Sequence, residues 1–358
     1  MKKGLICLAI ATAITSAGMP NVAHGEDGVE AAQKRYNEAV AQYNSGSAGF
    51  FKYLADQTTN AAERADAQQA YDIITAKDNS RQDGAQSSVD YSKYTNLGAA
   101  DDATNLENMK KAVDELNKVN EYRQKENATE SKSLSDLKVT SSLMAISQYQ
   151  LNYSKAAGRS HSQAFNVGEN LAWGYSNPFS GWYDKEKADY DAGERDNSKV
   201  GHYLNIVSNS YGTMGYSYVA GSTVQYGSAY GQTFSGNATR SYTGNAVSVA
   251  EYQAKFNLYY EAVKKEIADA KKALEDVGVE VPDQNSPIEN PSKPDGSEST
   301  DTTTPEGNNT ATNNNAGIAS NNDSAIKNTA SESNCFALIA FMTCGIAFVV
   351  VTGRKRKA

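Results

Sequence analysis

The composition of the chain changes at Pro282, and this change limits how much of the chain can fold. No aromatic residue occurs from Pro282 to Asn334, five of the seven prolines fall in this stretch, and Ser, Thr, Asn and Asp dominate it. Such a segment cannot bury enough apolar surface to offset the conformational entropy that folding removes. We therefore predict a disordered linker over residues 281–333.

The first residues predict a targeting segment. Lys2 and Lys3 precede an apolar run from Leu5 to Ile14, and Ala23–Gly25 offers small residues at a cleavage position. This order is typical of a secretory signal peptide, which we place at residues 1–25. The apolar run is too short to favour a membrane-spanning helix.

A second apolar run, Cys335–Val351, ends in the basic cluster Arg354–Lys357. Its length is at the short limit for crossing a bilayer, and the basic cluster favours a cytoplasmic end. We predict a transmembrane helix at 334–353 and a basic tail at 354–358, with the rest displayed outside the cell at the membrane or cell wall. The tail resembles that of a Gram-positive wall-sorted protein, but Ile326–Ala330 lacks the proline and glycine of the sorting motif. A membrane anchor is the simpler interpretation, and cleavage by a sortase stays open.

The positions of the cysteines argue against disulfides, and the net charge argues against nucleic-acid binding. Cys7, Cys335 and Cys344 all lie in the terminal apolar segments, so the exported part has no disulfide and its core alone must hold the fold. The net charge of −8 argues against nucleic acid as a partner.

Two regions predict helices that depend on other parts of the chain. Residues 26–100 carry thin apolar stripes at helical spacing, including one around Ala61–Ile74, followed by a predicted loop at Ser80–Ala100. Residues 241–280 carry a further helical stripe, close to a heptad pattern but with too few repeats to establish a coiled coil. Each stripe is too narrow to form a core alone, so we expect these helices to pack against each other.

Residues 101–240 carry the strongest core signal. An amphipathic helix is predicted by apolar residues three and four apart, namely Leu106, Met109, Val113, Leu116 and Val119. A second helix is predicted over 134–153. Tyrosine-rich stretches separated by glycine predict strands at 211–219, 222–226 and 229–234. Helices followed by strands indicate an α+β domain.

Two of the three histidines lie in short motifs, while His24 lies in the predicted signal peptide. In chain order the motifs are Leu116-Asn117…Asn120…Arg123, His161, Gly168-Glu169-Asn170-Leu171-Ala172, Trp182-Tyr183 and Gly201-His202-Tyr203. This order resembles a CAP domain, of the cysteine-rich secretory, antigen 5 and pathogenesis-related superfamily, over about 105–235. The resemblance implies an α-β-α sandwich with a central antiparallel sheet and a large open cleft.

In relatives, two histidines and two acidic residues line that cleft, and several of them bind a divalent metal there, commonly zinc. The resemblance assigns His161, His202 and Glu169 to this set. The second acid is Glu186, with Asp184 in reserve, because Lys185 occupies the position where relatives often place it. An extra residue in this helix would explain the offset, and so would a changed site.

Neutral imidazole is a favoured zinc ligand, and a carboxylate that accepts from its other ring nitrogen can orient it. Alternatively, the four groups bind no metal and form a pH-sensitive hydrogen-bonded cluster. The histidines could also be satisfied structural groups, Glu169 could brace a loop, and Glu186 could lie on a solvated helix face. Three aromatic residues are better explained as core and cleft walls than as ligand contacts, namely Trp173, Trp182 and Tyr203.

The motifs leave more than one function open. No serine lies in a G-x-S-x-G elbow and no cysteine lies in the exported part outside its tail, so the sequence identifies no nucleophile. Our first hypothesis is a surface-displayed module whose cleft binds a metal, or a lipid, glycan, peptide or protein. The second is a metal-dependent hydrolase in which Glu169 or Glu186 activates water. The third is an adhesive wall protein in which residues 26–100 bind partners.

Overall fold

The computed structural model describes residues 26–156, 159–221, 227–236, 242, 245–282 and 286–288, and the backbone of Thr329–Ala330. The predicted signal peptide, transmembrane helix, basic tail, most of the linker and the strand at 222–226 lie outside these residues. Within the described part, no helix is both long enough and apolar enough to span a membrane.

Five α-helices precede the first strand, and the remaining helices lie between and after the strands, which is an α+β pattern. The α-helices are α1 Glu26–Asn44, α2 Gly46–Gln57, α3 Ala61–Thr75, α4 Leu106–Glu115, α5 Asn117–Thr129, α6 Ser141–Ala156, α7 Glu186–Asp191, α8 Asn197–Ile206 and α9 Val249–Asp276. A 3₁₀ turn lies at Ser92–Tyr94 and a π-helix at Ser180–Lys185. The strands are β1 Lys138–Val139, β2 Gly168–Trp173, β3 Tyr211–Val219, β4 Ala229–Gly236 and β5 Thr329–Ala330.

The strands form one sheet in the order β1-β3-β4-β2-β5. The predicted strands at 211–219 and 229–234 are confirmed as β3 and β4, which pair antiparallel, and β2 pairs antiparallel with β4. The centre of the sheet is thus antiparallel, as the resemblance implied, whereas the short strand β1 runs parallel to β3. Between these two strands the chain passes through α6, β2, α7 and α8, and a connection of this length lets it return in the same direction.

Helices cover both faces of the sheet. Consecutive residues of a strand point to opposite faces. In β3, the Tyr216 hydroxyl donates to Glu115 of α4 at 3.3 Å, whereas Ser217 lies 2.8 Å from the hydroxyl of Ser147 in α6. Trp182 packs edge-on against Tyr216, which places the π-helix on the same face as α4. The α-β-α arrangement that the resemblance implied is therefore present.

Small residues let α6 approach the sheet closely. A Cβ atom at Gly215 of β3 would lie 2.0 Å from the carbonyl oxygen of Leu143 in α6. The hydroxyl of Thr233 in β4 donates to that same oxygen at 3.0 Å. Any larger side chain at position 215 would push the helix away from the sheet.

The helix predicted over 134–153 begins only at Ser141. Two asparagines of α5 hold the preceding residues in an extended form: Asn127 exchanges hydrogen bonds with the backbone N–H and C=O of Leu134, and Asn120 with those of Leu137. These side chains satisfy the backbone groups that a helix would otherwise pair. Extended backbone at this point leads directly into β1.

The N-terminal helices pack as expected against other parts of the chain. α3 packs on α6, and α2 packs on α3. Phe50 of α2 contacts α9, with its ring 5.1 Å from that of Phe256 and 5.8 Å from that of Tyr252. The main core therefore extends from α2 through the sheet to α9.

The helices α1 and α9 share a second, smaller core. Arg35 of α1 bonds Glu266 of α9 through two of its nitrogens, at 2.7 and 3.2 Å. Beyond α9 the chain folds back, and Asn37 of α1 accepts from the backbone N–H of Ile288 and donates to its carbonyl oxygen. The described start of the predicted linker thus stays in contact with α1.

Candidate functional site

His161 lies in the segment that connects α6 to β2. Its Nδ1–H donates to Oε2 of Glu169, the second residue of β2. An ionised carboxylate can only accept, so this bond places a ring proton on Nδ1, and in the neutral ring the lone pair is then on Nε2. The Nε2 atom is buried and has no hydrogen-bond partner among the residues that the structure describes. Buried polar atoms in folded proteins nearly always have a partner, so this nitrogen is a place where water or an ion would bind.

A glutamine of α6 fixes the carboxylate of Glu169. Nε2 of Gln150 donates to Oε1 of Glu169 at 2.9 Å, and Oε1 of Gln150 accepts from the hydroxyl of Ser162 at 3.0 Å. Gln150 therefore links Glu169 to Ser162, the residue that follows His161. The sequence did not identify this glutamine as part of the site.

His202 forms the second histidine–carboxylate pair, and it is almost completely buried. Its Nδ1–H donates to Oε1 of Glu186 at 2.5 Å. The other carboxylate oxygen of Glu186 accepts from the backbone N–H of Tyr203 at 2.9 Å. Glu186 is 0% exposed, so the solvated-helix alternative for this residue is wrong.

The π-helix explains the position of Glu186. Ser180–Lys185 turns with one more residue per hydrogen-bonded ring than an α-helix, which accommodates an extra residue before α7 begins at Glu186. This geometry matches the inserted residue considered from the sequence. Asp184 points elsewhere: its side chain is half exposed and lies 4.0 Å from Lys125.

Two asparagines connect the histidine–carboxylate pairs. Asn170, next to Glu169 in β2, donates to the backbone carbonyl oxygen of His202 at 3.3 Å. Asn205 of α8 donates to the side-chain oxygen of Asn170 at 2.9 Å and to the carbonyl oxygen of Glu169 at 3.3 Å. Both pairs are therefore attached to the same part of β2.

The aromatic residues singled out in the sequence are buried in hydrophobic clusters. Trp182 is buried and donates from Nε1 to the carbonyl oxygen of Leu171 at 3.0 Å, and its ring lies 6.3 Å from that of His202. Trp173 and Tyr203 are also buried. Burial raises the pKa of Tyr203, with the charge of Glu126 also raising it, so its hydroxyl stays protonated and donates to Glu126 at 3.2 Å.

The structure thus brings the four predicted residues together two by two. His161 pairs with Glu169, and His202 pairs with Glu186. Among the described residues, no three or more His, Cys, Asp or Glu side chains gather as a ready metal-ligand set. Both carboxylates face imidazole Nδ1 atoms, which is the arrangement of a group that orients a ligand.

Comparison with known proteins identifies the part of the chain that contains this site. Neither a curated protein nor a solved structure shows significant similarity to the chain. The family model named CAP, the cysteine-rich secretory protein family, matches residues 116–237, a range that includes both histidine–carboxylate pairs. The mixed sheet and flanking helices of this part of the chain fit the CAP fold, so the family match and the structure both support a CAP-type domain here.

Proposed function

We propose that His161 and His202 bind a divalent metal of the zinc class, and that Glu169 and Glu186 hold the two rings in place. The observation that carries this proposal is the buried Nε2 atom of His161, for which the described part of the chain supplies no hydrogen-bond partner. The Nδ1 atom of each ring is engaged by a carboxylate, so a metal would be met by Nε2. Carboxylates behind metal-binding imidazoles fix the tautomer and increase ligand basicity.

The donor set implies an open site. Two imidazoles supply half of the four ligands that zinc takes in tetrahedral sites, so water or a bound molecule would supply the others. Such a metal is held less tightly than a structural zinc with four protein ligands. It also leaves coordination positions at which an exogenous ligand can bind.

A CAP domain is a secreted type of ligand-binding domain, and this supports a binding role for the cleft. In our proposal the domain is exported, is anchored by the apolar tail at 334–353, and presents the metal site outside the cell. Its ligand would be a lipid, glycan, peptide or protein with an electron-pair donor for the metal.

A hydrolase remains the alternative use of the same site, but the hydrogen bonds favour binding. All four carboxylate oxygens already have partners: His161 and Gln150 for Glu169, and His202 and the Tyr203 N–H for Glu186. A general base must direct a carboxylate oxygen at the water it activates. In this structure both glutamates are instead held against an imidazole ring and a second donor, which supports an orienting role.

Metal analysis of the full chain tests the proposal. After zinc loading and desalting, we expect one zinc per chain in the wild type and none in folded His161→Ala/His202→Ala. Glu169→Gln and Glu186→Gln should each weaken binding by about 10–100-fold. Asp184→Asn, two residues before Glu186 but exposed, is the matched control and should bind zinc like the wild type. Equal zinc in the wild type and the double variant, or none in both, would refute the metal site.

A further inference from the structure

A loop that precedes the CAP match lies directly against the segment that carries His161. This loop, residues 79–91, is held together by its own side chains. The amide of Asn79 donates to the carbonyl oxygen of Ser87 at 2.9 Å, and the amide of Gln82 donates to that of Val89 at 2.6 Å. The loop is thus a compact unit whose two ends are tied.

The 79–91 loop is also attached to α6, the helix that supplies Gln150. The side-chain oxygen of Gln82 accepts from the hydroxyl of Tyr149 at 2.7 Å and from the backbone N–H of Tyr91 at 3.2 Å. Tyr149 is buried and packs edge-on against Phe165 of the His161 segment. The loop, α6 and the His161 segment therefore meet at one point.

Four hydrogen bonds join the loop to the residues that follow His161. The carbonyl oxygen of Ala164 accepts from the N–H groups of Asp83 at 3.1 Å and Gly84 at 2.8 Å. The carbonyl oxygen of Gln163 accepts from the N–H of Gln86 at 3.0 Å. In return, the carboxylate of Asp83 accepts from the N–H of Asn166 at 3.0 Å. The loop thereby fixes the backbone from Gln163 to Asn166.

The backbone around His161 is in a conformation that its own sequence disfavours. Arg159 and Gln163, two residues on either side of His161, have φ angles of 69° and 53°. For residues other than glycine this left-handed region is costly, and it persists where surrounding contacts impose it. The carbonyl of Gln163 is one of the groups that the 79–91 loop holds.

Gly84 permits the close approach of the two backbones. A Cβ atom at this position would lie 2.3 Å from the carbonyl oxygen of Gln163 and 2.6 Å from the nitrogen of Phe165. Both are backbone atoms, so neither can rotate away. Alanine at position 84 would force the loop and the His161 segment apart.

We propose that the 79–91 loop positions His161, and that Gly84 and Asp83 are positioning residues for the imidazole. This inference rests on the proposed role of His161 and deepens it, because it enlarges the functional unit beyond residues 116–237. The loop fixes the left-handed turn at Gln163, and that turn presents the His161 ring to Glu169. Without the loop, Nδ1 of His161 loses its alignment with the carboxylate.

Ring nitrogen NMR of the full chain tests this without any metal. The chain has three histidines, and His161→Gln and His202→Gln variants assign the two site rings. In the wild type we expect His161 as the Nδ1–H tautomer, with a hydrogen-bonded Nδ1 proton signal. In Gly84→Ala that signal should be lost or shifted, while the signals of His202 stay unchanged.

Asp83 provides the matched pair of variants. Asp83→Asn keeps a side-chain oxygen for the N–H of Asn166 and should preserve the His161 ring signals, whereas Asp83→Ala should alter them. Ile267→Val in α9, buried in the smaller core shared with α1, controls for a general loss of stability. Unchanged His161 signals in both Gly84→Ala and Asp83→Ala would overturn the proposal, and so would equal changes at His202.

Zinc titration of the same variants separates this proposal from the metal site. We expect Gly84→Ala to weaken zinc binding roughly tenfold, as for other groups that orient a metal ligand. A wild type that binds no zinc but shows the ring changes in Gly84→Ala would refute the metal and retain the positioning role. If zinc binding is lost only in the histidine variants and the ring signals are unaltered in Gly84→Ala, the metal site is retained and the positioning role is refuted.

Discussion

Nη1 of Arg123 lies 2.6 Å from the carbonyl oxygen of Ile206, the last residue of α8. The same nitrogen donates to the carbonyl oxygen of Ser208 at 3.0 Å, and Nε donates to that of Ser135 at 2.9 Å. A cation at the C-terminus of a helix satisfies carbonyl groups that have no partner within the helix. Arg123 of α5 thus secures the end of the helix that carries His202.

Replacing Arg123 with methionine should destabilise the protein strongly. Three backbone carbonyl groups would lose a charged donor, and we expect the free energy of unfolding to fall by about 3 kcal/mol or more, as measured by urea denaturation. Arg123→Lys should recover only part of this, because an ammonium group cannot reproduce the planar spacing of the guanidinium donors. A loss below about 1 kcal/mol in Arg123→Met would contradict this account.

Glu126 should make the stability of the protein depend on pH. Its buried carboxylate accepts from Lys132 at 2.6 Å and from the hydroxyl of Tyr183 at 2.6 Å. Burial raises the pKa of Glu126, but these bonds and the charges of Lys132 and Lys187 outweigh it, so the pKa lies below its ordinary value. A lowered acid pKa stabilises the fold above the unfolded-state pKa, and the contribution is lost as pH falls through the folded-state pKa.

The variant Glu126→Gln isolates this contribution. We expect its free energy of unfolding to lie about 2 kcal/mol below that of the wild type at pH 7, because Lys132 keeps no charged partner. The difference should shrink as the pH falls below about 4.3, the usual unfolded-state value for glutamate. Urea denaturation of both proteins from pH 7 to pH 3 measures it. A difference that stays constant with pH would argue against the assignment.

Asp66, which belongs to α3, should stabilise the N-terminus of α6. Its carboxylate in α3 accepts from the N–H groups of Ser141 at 2.7 Å and Ser142 at 3.2 Å, the first two residues of α6. It also accepts from the hydroxyl of Ser142 at 2.7 Å. The carboxylate caps the N-terminus of α6, although it belongs to another helix.

Asp66→Ala should therefore lower the free energy of unfolding by about 2 kcal/mol, near the upper end for lost helix caps, because the orphaned donors are buried. Asp66→Asn keeps one acceptor oxygen and should lose less. Thermal unfolding followed by circular dichroism compares the two. Equal losses in both variants would mean that the hydrogen bonds to α6 are not the cause.

Sequence patterns predicted the helices and strands in which a periodic or tyrosine-rich pattern extends over many residues. The stripe from Leu106 to Val119 predicted one helix, which the structure divides at Leu116 into α4 and α5, and two of the tyrosine-rich stretches are β3 and β4. β1 and the late start of α6 were missed because two asparagine side chains, not a periodic pattern, hold the backbone before Ser141. The strand β2 was missed as well, since Gly168–Asn170 reads as a turn from composition alone.

The sequence predicted which residues form the site, but not the role of each side chain in it. Motif order pointed to His161, His202 and Glu169, and the count of residues left Glu186 next to Asp184. Which atom of each ring a carboxylate meets depends on side-chain orientation, and no spacing reveals it. Gln150 was missed because polar residues lie on every side of a helix that is almost wholly buried, so none stands out.

Gln150 should control metal affinity through Glu169. In Gln150→Leu, Oε1 of Glu169 loses its donor and the carboxylate is free to turn away from His161. We expect zinc affinity to fall by about 10–100-fold without a change in stoichiometry. Gln148→Leu is the matched control, because its buried side-chain oxygen accepts from Ser47 of α2 rather than from the site. Equal losses of affinity in the two variants would point to a general effect on α6.

The segment matched by the family model should not fold alone. Residues 116–237 omit α2, α3, α4 and α9, yet Phe50 and Phe256 belong to the same core as Leu143 and Trp182. Without α3, the outer side of α6 would be exposed and its N-terminus would lack Asp66. We expect residues 26–288 to unfold in one cooperative transition, and residues 116–237 to show none in the same calorimetric scan. A cooperative transition in the shorter fragment would show that the N-terminal helices and α9 are additions to a self-sufficient domain rather than parts of its core.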